Sequence, residues 1–209
     1  MTYVAFLRAV NVGGKSIVSM AAIREGLVAL GLSDVRTYIN SGNVIFSTRA
    51  SDVQKLTARI EKALEQRTGI AIKVLVMAHK ALEKMVDGIP RHWVDDKTMR
   101  TYVLLLWKEI DDRGILDRLP TKPEVDEIRY TPGAVVWRVD RVNVSRSHMN
   151  KIVGTPLYKK ITIRSANTMR KLNELTATST GRLPESSRRQ SASGIRQAGS
   201  AGPAAGTSR

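Results

Sequence analysis

The chain has 209 residues, of which 42% are hydrophobic and 25% charged, a composition typical of a folded globular protein. It contains no cysteine, which excludes disulfides, thiolate zinc sites, iron–sulfur clusters and cysteine nucleophiles. Its net charge of +15 favours polyanionic partners such as nucleic acid, acidic lipid surfaces or phosphorylated small molecules. The sequence shows neither a signal peptide nor an apolar run long enough to span a bilayer, so we expect a cytoplasmic protein without a membrane partner.

The first half of the chain is predicted to contain six elements. In chain order they are the strand "TYVAFLRAV", the helix "SMAAIREGLVALGL", the strands "VRTYI" and "NVIFS", the helix "SDVQKLTARIEKALEQRTG" and the strand "IAIKVLVM". Ser19 is the predicted N-cap of the first helix, and Gly31 and Gly69 are predicted to end the two helices. Ser41-Gly42 predicts a tight turn between strands. The order βαββαβ is that of a ferredoxin-like fold.

The second half partly repeats this order. Its predicted elements are the strand "RTYVLLLW", the short helix "EIDDRGILDRL", the hairpin "VDEIRYT"–"AVVWRVD" around Pro132-Gly133, and the helices "SRSHMNKIV" and "NTMRKLNELT" on either side of the extended "KKITIR". We therefore predict an α+β protein with two ferredoxin-like halves, residues 3–90 and 98–176, that arose by duplication. Residues 177–209 are predicted to be a disordered tail, because they bury too little apolar surface to offset the entropy of ordering.

Three segments, residues 7–46, 136–154 and 162–175, carry a distinctive pattern, and its polar and glycine residues lie in the first and the last of them. Its residues are Leu7, Arg8, Asn11, Val12, Gly13, Gly14, Met20, Tyr38, Ile39, Ser41, Gly42, Asn43 and Val44, followed near the other end by Thr162, Arg164, Asn167 and Thr168. Over residues 3–176 this pattern resembles the bacterial family called domain of unknown function 1697, with departures at Ala9, Asn40 and Ser165-Ala166. The resemblance implies an α+β fold of ferredoxin-like halves. It implies no activity, because none is established for the family.

The segment from Ala9 to Ser16 matches the phosphate-binding pattern G-x-x-x-x-G-K-[ST] at every position but the first. The helix of a true phosphate loop begins at the lysine, whereas the predicted helix begins only after Ser19. The amides of the predicted helix would therefore lie too far from a phosphate bound at Lys15. Nucleotide hydrolysis is therefore not expected. Two interpretations stay open: a sharp turn tied by Asn11, or an anion-binding loop formed by Arg8, Lys15 and backbone amides.

Residues 141–173 contain no acidic residue and eight basic ones, whereas residues 95–127 hold nine acids against six bases. This segregation is typical of a surface that steers an anionic partner. Seven basic residues are predicted to contact a polyanion, namely Arg141, Arg146, Lys151, Lys159, Lys160, Arg170 and Lys171. The chain lacks the glycine–aromatic signature of sheet-based RNA binders, so nucleic-acid binding would use mainly the phosphate backbone. A basic surface without a dedicated partner is the alternative.

A second hypothesis is a cleft between the halves that binds a phosphorylated or carboxylated small molecule, as a receptor or an enzyme. Its predicted residues are Arg8, Asn11, Gly13, Gly14, Lys15, Ser41, Gly42, Asn43, Arg164, Asn167 and Thr168. This hypothesis requires Arg164 to lie near Arg8 or Asn43. The three histidines, His79, His92 and His148, are scattered, so no metal site or cofactor is predicted. The sequence assigns neither catalytic residues nor an oligomeric state.

Overall fold

The computed structural model describes residues 1–8, 10 and 18–179. The strands in this part of the chain are β1 (Thr2–Leu7), β2 (Ser33–Tyr38), β3 (Asn43–Ser47), β4 (Val74–Ala78), β5 (Met99–Leu106), β6 (Asp126–Thr131), β7 (Ala134–Asp140) and β8 (Ile161–Ser165). The α-helices are α1 (Met20–Ala29), α2 (Val53–Thr68), α3 (His79–Asp87) and α4 (Ala166–Ser179). Short 3₁₀ turns cover Lys108–Ile110, Arg113–Arg118, Arg141–Arg146, Met149–Ile152 and Leu157–Lys160.

The strands form two four-stranded sheets, and every pairing is antiparallel. The first sheet has the order β2-β3-β1-β4, and the second has the order β6-β7-β5-β8. In each sheet the strand that comes first in the chain therefore lies between the third and the fourth. The predicted mixed α+β class is confirmed.

The helix ends predicted from the sequence are confirmed in the first half. Ser19 caps α1, and its hydroxyl accepts a hydrogen bond from the amide of Ala22. Gly69 ends α2 with a φ of +70°, a left-handed conformation that glycine adopts without strain. Leu56 and Ile60 of α2 are buried in a core on the outer face of the first sheet, because their spacing places both on one side of the helix.

Both predicted hairpins are present as well. Tyr38 pairs with Asn43 across the β2–β3 turn, and Thr131 pairs with Ala134 across the β6–β7 turn. Gly133 has a φ of +89°, as its place in a two-residue connection requires.

A second core lies between the two sheets. Helices α3 and α4 contribute to it, as does Trp93 from the segment that joins the halves. Phe6 and Phe46 are both fully buried, on opposite faces of the first sheet. Because one core contains residues of both halves, the two sheets fold against each other rather than standing apart.

Four differences from the prediction concern helices. The segments predicted as the helices "SRSHMNKIV" and "EIDDRGILDRL" form 3₁₀ turns instead. Ser147 interrupts the first with extended backbone, because its hydroxyl bonds to Asp126. Helix α3 was not predicted, and α4 continues to Ser179, three residues into the predicted tail. The rest of that predicted tail, residues 180–209, lies outside the described residues.

Candidate functional site

Arg164 projects from β8 into the space between the sheets and contacts the first half of the chain. Its Nε donates to Asn43 Oδ1 over 2.6 Å, and one Nη donates to the carbonyls of Leu7 and Gly42 over 2.9 and 3.2 Å. The other Nη donates to Thr162 Oγ1 and to the carbonyl of Ile163. The five N–H donors of the guanidinium are thus matched by five hydrogen bonds.

The acceptors around Arg164 are all uncharged. The residue is 8% exposed, and its guanidinium lies 5.7 Å from the centre of the Phe6 ring. Burial lowers the pKa of Arg164 to about 10, so the side chain stays protonated at neutral pH. Burying this charge costs on the order of 3 kcal/mol, which several hydrogen bonds to a charged group offset. Arg164 therefore joins the halves and has no unused donor for a ligand.

Asn43 and Gly42 form the receiving side of this contact. Asn43 is fully buried, and its Nδ2 donates to the carbonyl of Tyr38 and to Ser41 Oγ, which leaves Oδ1 available for Arg164. The Gly42 carbonyl accepts from the amide of Leu7 over 2.8 Å as well as from Arg164. The Ser-Gly-Asn turn is thus held by both β1 and β8.

Gly42 cannot carry a side chain without moving its neighbours. Its φ is +73°, and a Cβ there would lie 2.9 Å from Leu7 Cβ and 3.3 Å from the Leu7 carbonyl oxygen. We expect Gly42→Ala to lower the free energy of unfolding, measured by urea denaturation, by roughly 2–3 kcal/mol, because left-handed strain and steric overlap add. Gly69→Ala is the matched control, since its φ is +70° and nothing lies within 4 Å of its Cβ position. Equal losses in the two variants would show that the approach to Leu7 contributes nothing.

Arg8 makes a second connection between the halves. It follows β1, and it donates to the carbonyls of Ile161 and Tyr158 over 3.3 and 3.1 Å. Its guanidinium lies 5.0 Å from the centre of the Tyr158 ring, within the range of a cation–π contact. Arg8 therefore connects the end of β1 to the basic segment of the second half.

The structure brings some of the predicted ligand-binding residues together. Arg164 contacts Asn43 directly, and its partner Leu7 immediately precedes Arg8, so the proximity that the cleft hypothesis requires is met. The loop residues Asn11, Gly13, Gly14 and Lys15 lie outside the described residues. Ligand binding at this place stays a prediction.

Asn167 and Thr168 make separate contacts at the start of α4. Asn167 Nδ2 donates to the carbonyl of Asp95 over 2.7 Å, and its Oδ1 accepts from the amide of the same residue. The hydroxyl and amide of Thr168 both bond to Ser165 Oγ, which satisfies a donor at the helix N-terminus. Both residues thus stabilise the chain around α4, and the five hydrogen bonds of Arg164 go to other groups.

Four of the seven residues predicted to contact a polyanion are exposed and lie in the 3₁₀ turns that cover the outer face of the second sheet. We call Arg146, Lys151, Lys159 and Lys160 the basic surface. Arg146 bonds to the side-chain carbonyl of Asn143, and Lys151 to His148. None of the four has a carboxylate partner in the part of the chain that the structure describes.

The other three predicted contacts are engaged within the protein. Arg141 pairs with Asp95 over 3.2 Å, and Lys171 pairs with Glu174 over 2.9 Å. Arg170 is partly buried, donates to the carbonyl of Pro90, and has its pKa lowered by that burial. These three residues are therefore less available to a partner than the basic surface is.

Asp126 anchors the polypeptide that carries the basic surface. It is 5% exposed and accepts hydrogen bonds from Trp137 Nε1, the Ser147 hydroxyl and the amides of His148 and Lys122. Burial alone would raise the pKa of Asp126, but these hydrogen bonds outweigh burial and hold it below its ordinary value. Asp126, which belongs to the acidic segment, therefore holds Ser147 and His148 of the acid-free segment in place.

The described residues contain no group of three histidine, aspartate or glutamate side chains that could hold a metal ion. None of the helices in that part of the chain combines the length and the apolar composition needed to cross a membrane. A cavity of about 930 Å³ lies between the halves, but Arg8, Asn43 and Arg164 do not line it.

The fold and the contacts between the halves define a mixed α+β protein of two antiparallel sheets held together by arginines. The profile of a family described as "Protein of unknown function (DUF1697)" matches residues 1–137, and the chain belongs to that family. The solved structure of the conserved bacterial protein SP0830 from Streptococcus pneumoniae is similar, with a TM-score of 0.72 and 26% sequence identity. The match covers 84% of this chain and 98% of that one. No curated protein matches the chain.

Proposed function

We propose that the protein binds a polyanion, in the first instance nucleic acid, through the basic surface. The observation that carries the proposal is the group of four exposed basic side chains without a carboxylate partner among the described residues. When exposed lysine and arginine side chains neutralise phosphates, the counterions condensed on the nucleic acid are released, and this release drives non-specific binding. The absence of acids from residues 141–173 removes local repulsion of such a partner.

Phosphate contacts are favoured over base stacking. Sheet-based RNA binders stack bases on aromatic side chains of an open sheet face. Here Phe6, Phe46 and Trp137 are fully buried, and Tyr158 is covered by Arg8. These four side chains therefore offer little for stacking bases. Binding that depends weakly on sequence and steeply on salt is the corresponding expectation.

Reversing two charges of the basic surface tests its role. We expect the double variant Lys159→Glu/Lys160→Glu to bind a fluorescent generic RNA or DNA roughly tenfold or more weakly at low salt, measured by anisotropy. The matched control is Lys62→Glu/Lys80→Glu, which makes the same change at exposed positions of α2 and α3. A loss of the same size in both double variants would show that only net charge matters, and the basic surface would not be a site.

A small anionic ligand near Arg8 is the second candidate. The observation in its favour is that Arg164 brings a buried positive charge, with no carboxylate partner, close to the end of β1. Since the donors of Arg164 are already used, the ligand would have to meet Arg8 and the adjoining loop. Inorganic phosphate or a sugar phosphate should then raise the melting temperature of the wild type and leave that of Arg8→Met unchanged. An equal rise in both proteins would remove this candidate.

We further propose that each half is a ferredoxin-like unit and that the two arose by duplication. The equal strand orders of the two sheets support this, together with the βαββαβ order of the first half. In the second half 3₁₀ turns stand where one crossover helix would be. We also place the protein in the cytoplasm, where nucleic acid and phosphorylated metabolites are present; cell fractionation that recovered it elsewhere would contradict this.

A further inference from the structure

Arg141, the first residue of the acid-free segment, is held by the polypeptide that joins the two halves. One Nη of its guanidinium donates to Asp95 Oδ1 over 3.2 Å, and its Nε donates to the carbonyl of Asp96. The amide of Arg141 also donates to the carbonyl of Thr98 over 2.8 Å. Both the side chain and the backbone of Arg141 are therefore engaged with the joining segment.

Asp95 is held in place independently of Arg141. At the start of α4, Asn167 accepts from the amide of Asp95 over 3.4 Å and donates to its carbonyl over 2.7 Å. Trp93, two residues earlier, is buried in the core between the sheets. An exposed ion pair is usually weak because two mobile side chains must be ordered, but here the backbone that carries the carboxylate is already fixed. Asp95 is therefore a prepared acceptor for Arg141.

A second arginine faces the same carboxylate. Arg100 Nε lies 3.9 Å from Asp95 Oδ1, and this nitrogen is buried without a hydrogen-bond partner among the residues that the structure describes. The neighbouring Asp96 uses its carboxylate to accept from the hydroxyl and the amide of Thr98. Asp95 is thus the carboxylate that pairs directly with Arg141, and it is shared with Arg100.

Arg141 lies next to the basic surface. It begins the 3₁₀ turn that ends at Arg146, one of the four residues of that surface. At a rise of about 2.0 Å per residue, the Cα atoms of the two arginines are roughly 10 Å apart, which is about three phosphate steps along one DNA strand. A single polyanion can therefore reach both residues, but Arg146 lacks a carboxylate partner in the described part of the chain and Arg141 has one.

We propose that Asp95, positioned by Asn167, is an autoinhibitory contact that withholds Arg141 from a polyanion bound at the basic surface. This inference rests on the proposed function and adds a regulation of the same site. A phosphate must compete with a fixed carboxylate for the guanidinium, so the protein binds with the four cations of the basic surface and not with Arg141. Removing the charge of Asp95 leaves the Arg141 guanidinium with an uncharged acceptor, and a charge-assisted hydrogen bond to phosphate is stronger than that contact.

Anisotropy with a generic DNA duplex across a salt series tests this inference. Asp95→Asn should bind roughly three- to tenfold more tightly at low salt, and the slope of log K against log salt concentration should steepen by about 0.9, because one further phosphate is neutralised. Asp117→Asn removes an exposed acid from another 3₁₀ turn, so it is the matched control for net charge and should keep the wild-type slope. Asp95→Asn/Arg141→Met should also return to the wild-type slope, because Arg100 is not the source of the gain.

Arg141→Met alone provides a second readout that needs no change at Asp95. It should keep the wild-type slope, whereas Arg146→Met, at the other end of the same turn, should make the slope shallower by about 0.9. Four results would overturn the inference while the wild type still binds: a shallower slope for Arg141→Met, wild-type binding by Asp95→Asn, an equal gain in Asp117→Asn, or a gain that persists in the double variant. No binding by the wild type at low salt would instead overturn the proposed function, and this inference with it.

Discussion

Replacing Arg164 with methionine is expected to lower the free energy of unfolding by roughly 3 kcal/mol. The substitution leaves Leu7 O and Asn43 Oδ1 without this donor, at up to about 3 kcal/mol each, whereas Gly42 O keeps its hydrogen bond from the Leu7 amide. About half of that loss is recovered, because a charge no longer has to be buried. Chemical denaturation followed by tryptophan fluorescence measures the change, since Trp93 lies in the core between the sheets.

Two further variants make the result specific. Arg118→Met changes an exposed arginine of a 3₁₀ turn and should alter stability by no more than about 0.5 kcal/mol. Arg164→Lys keeps the charge but has three donors on a single nitrogen, so it should recover only part of the loss. If Arg164→Met were as stable as Arg118→Met, the inter-half contact would have no energetic role.

Asp126→Asn is expected to lower the free energy of unfolding by roughly 2–4 kcal/mol at neutral pH. The carboxylate accepts four hydrogen bonds, and an amide group must turn an NH₂ towards at least one of those donors. The release of Ser147 and His148 should also loosen the segment that carries the basic surface. Amide hydrogen exchange of residues 141–152 should therefore be faster in the variant than in the wild type.

The pH dependence of this loss has a defined sign. Because the pKa of Asp126 is lower in the folded protein than its ordinary value of 3.8, its stabilising contribution is present above about pH 4 and is lost as the pH falls through the folded-state pKa. The stability difference between wild type and Asp126→Asn should therefore shrink below about pH 4. Asp117→Asn, at an exposed position, should show little difference at either pH. A difference that stayed constant down to pH 2 would contradict the assignment.

Local signals in the sequence predicted much of the fold. Ser19 and Gly69 mark helix ends because their conformations depend on neighbouring backbone alone, and the Pro132-Gly133 turn is similarly local. The spacing of Leu56 and Ile60 sufficed to place one face of α2 in a core. Helix α3 carries a comparable signal at His79, Leu82 and Met85, which are all buried, and the same reasoning could have found it.

The features that the sequence did not predict depend on distant contacts. Ser147 has a hydroxyl that bonds to Asp126, 21 residues earlier in the chain, and this bond turns a helical pattern into 3₁₀ turns. The partners of Arg164 in the first half lie more than 120 residues away, so no local pattern identifies them. The resemblance placed Arg164 and Asn43 in one pattern, but only the fold shows that they bind each other.

The candidate site likewise combines features that local sequence predicts with features that depend on distant contacts. The sequence shows an acid-free segment with seven candidate contacts, and the structure adds that Arg141, Arg170 and Lys171 are engaged within the protein. Arg141 could not be set aside from sequence, because the fold brings Asp95 to it. The Lys171–Glu174 pair is instead a local i,i+3 contact that the helical spacing could have indicated. Arg8 then connects the basic segment to the end of β1 through Tyr158.

The salt dependence of binding to a generic DNA duplex tests the proposed function most directly. If the four residues of the basic surface each neutralise one phosphate, a plot of log K against log salt concentration should be linear with a slope of about −3.6. Charge reversal at Lys159 and Lys160 should make the slope shallower by about 2 or more, while Lys62→Glu/Lys80→Glu should leave it unchanged. No binding at low salt, or binding that does not change with salt, would contradict the proposal that this surface binds a polyanion.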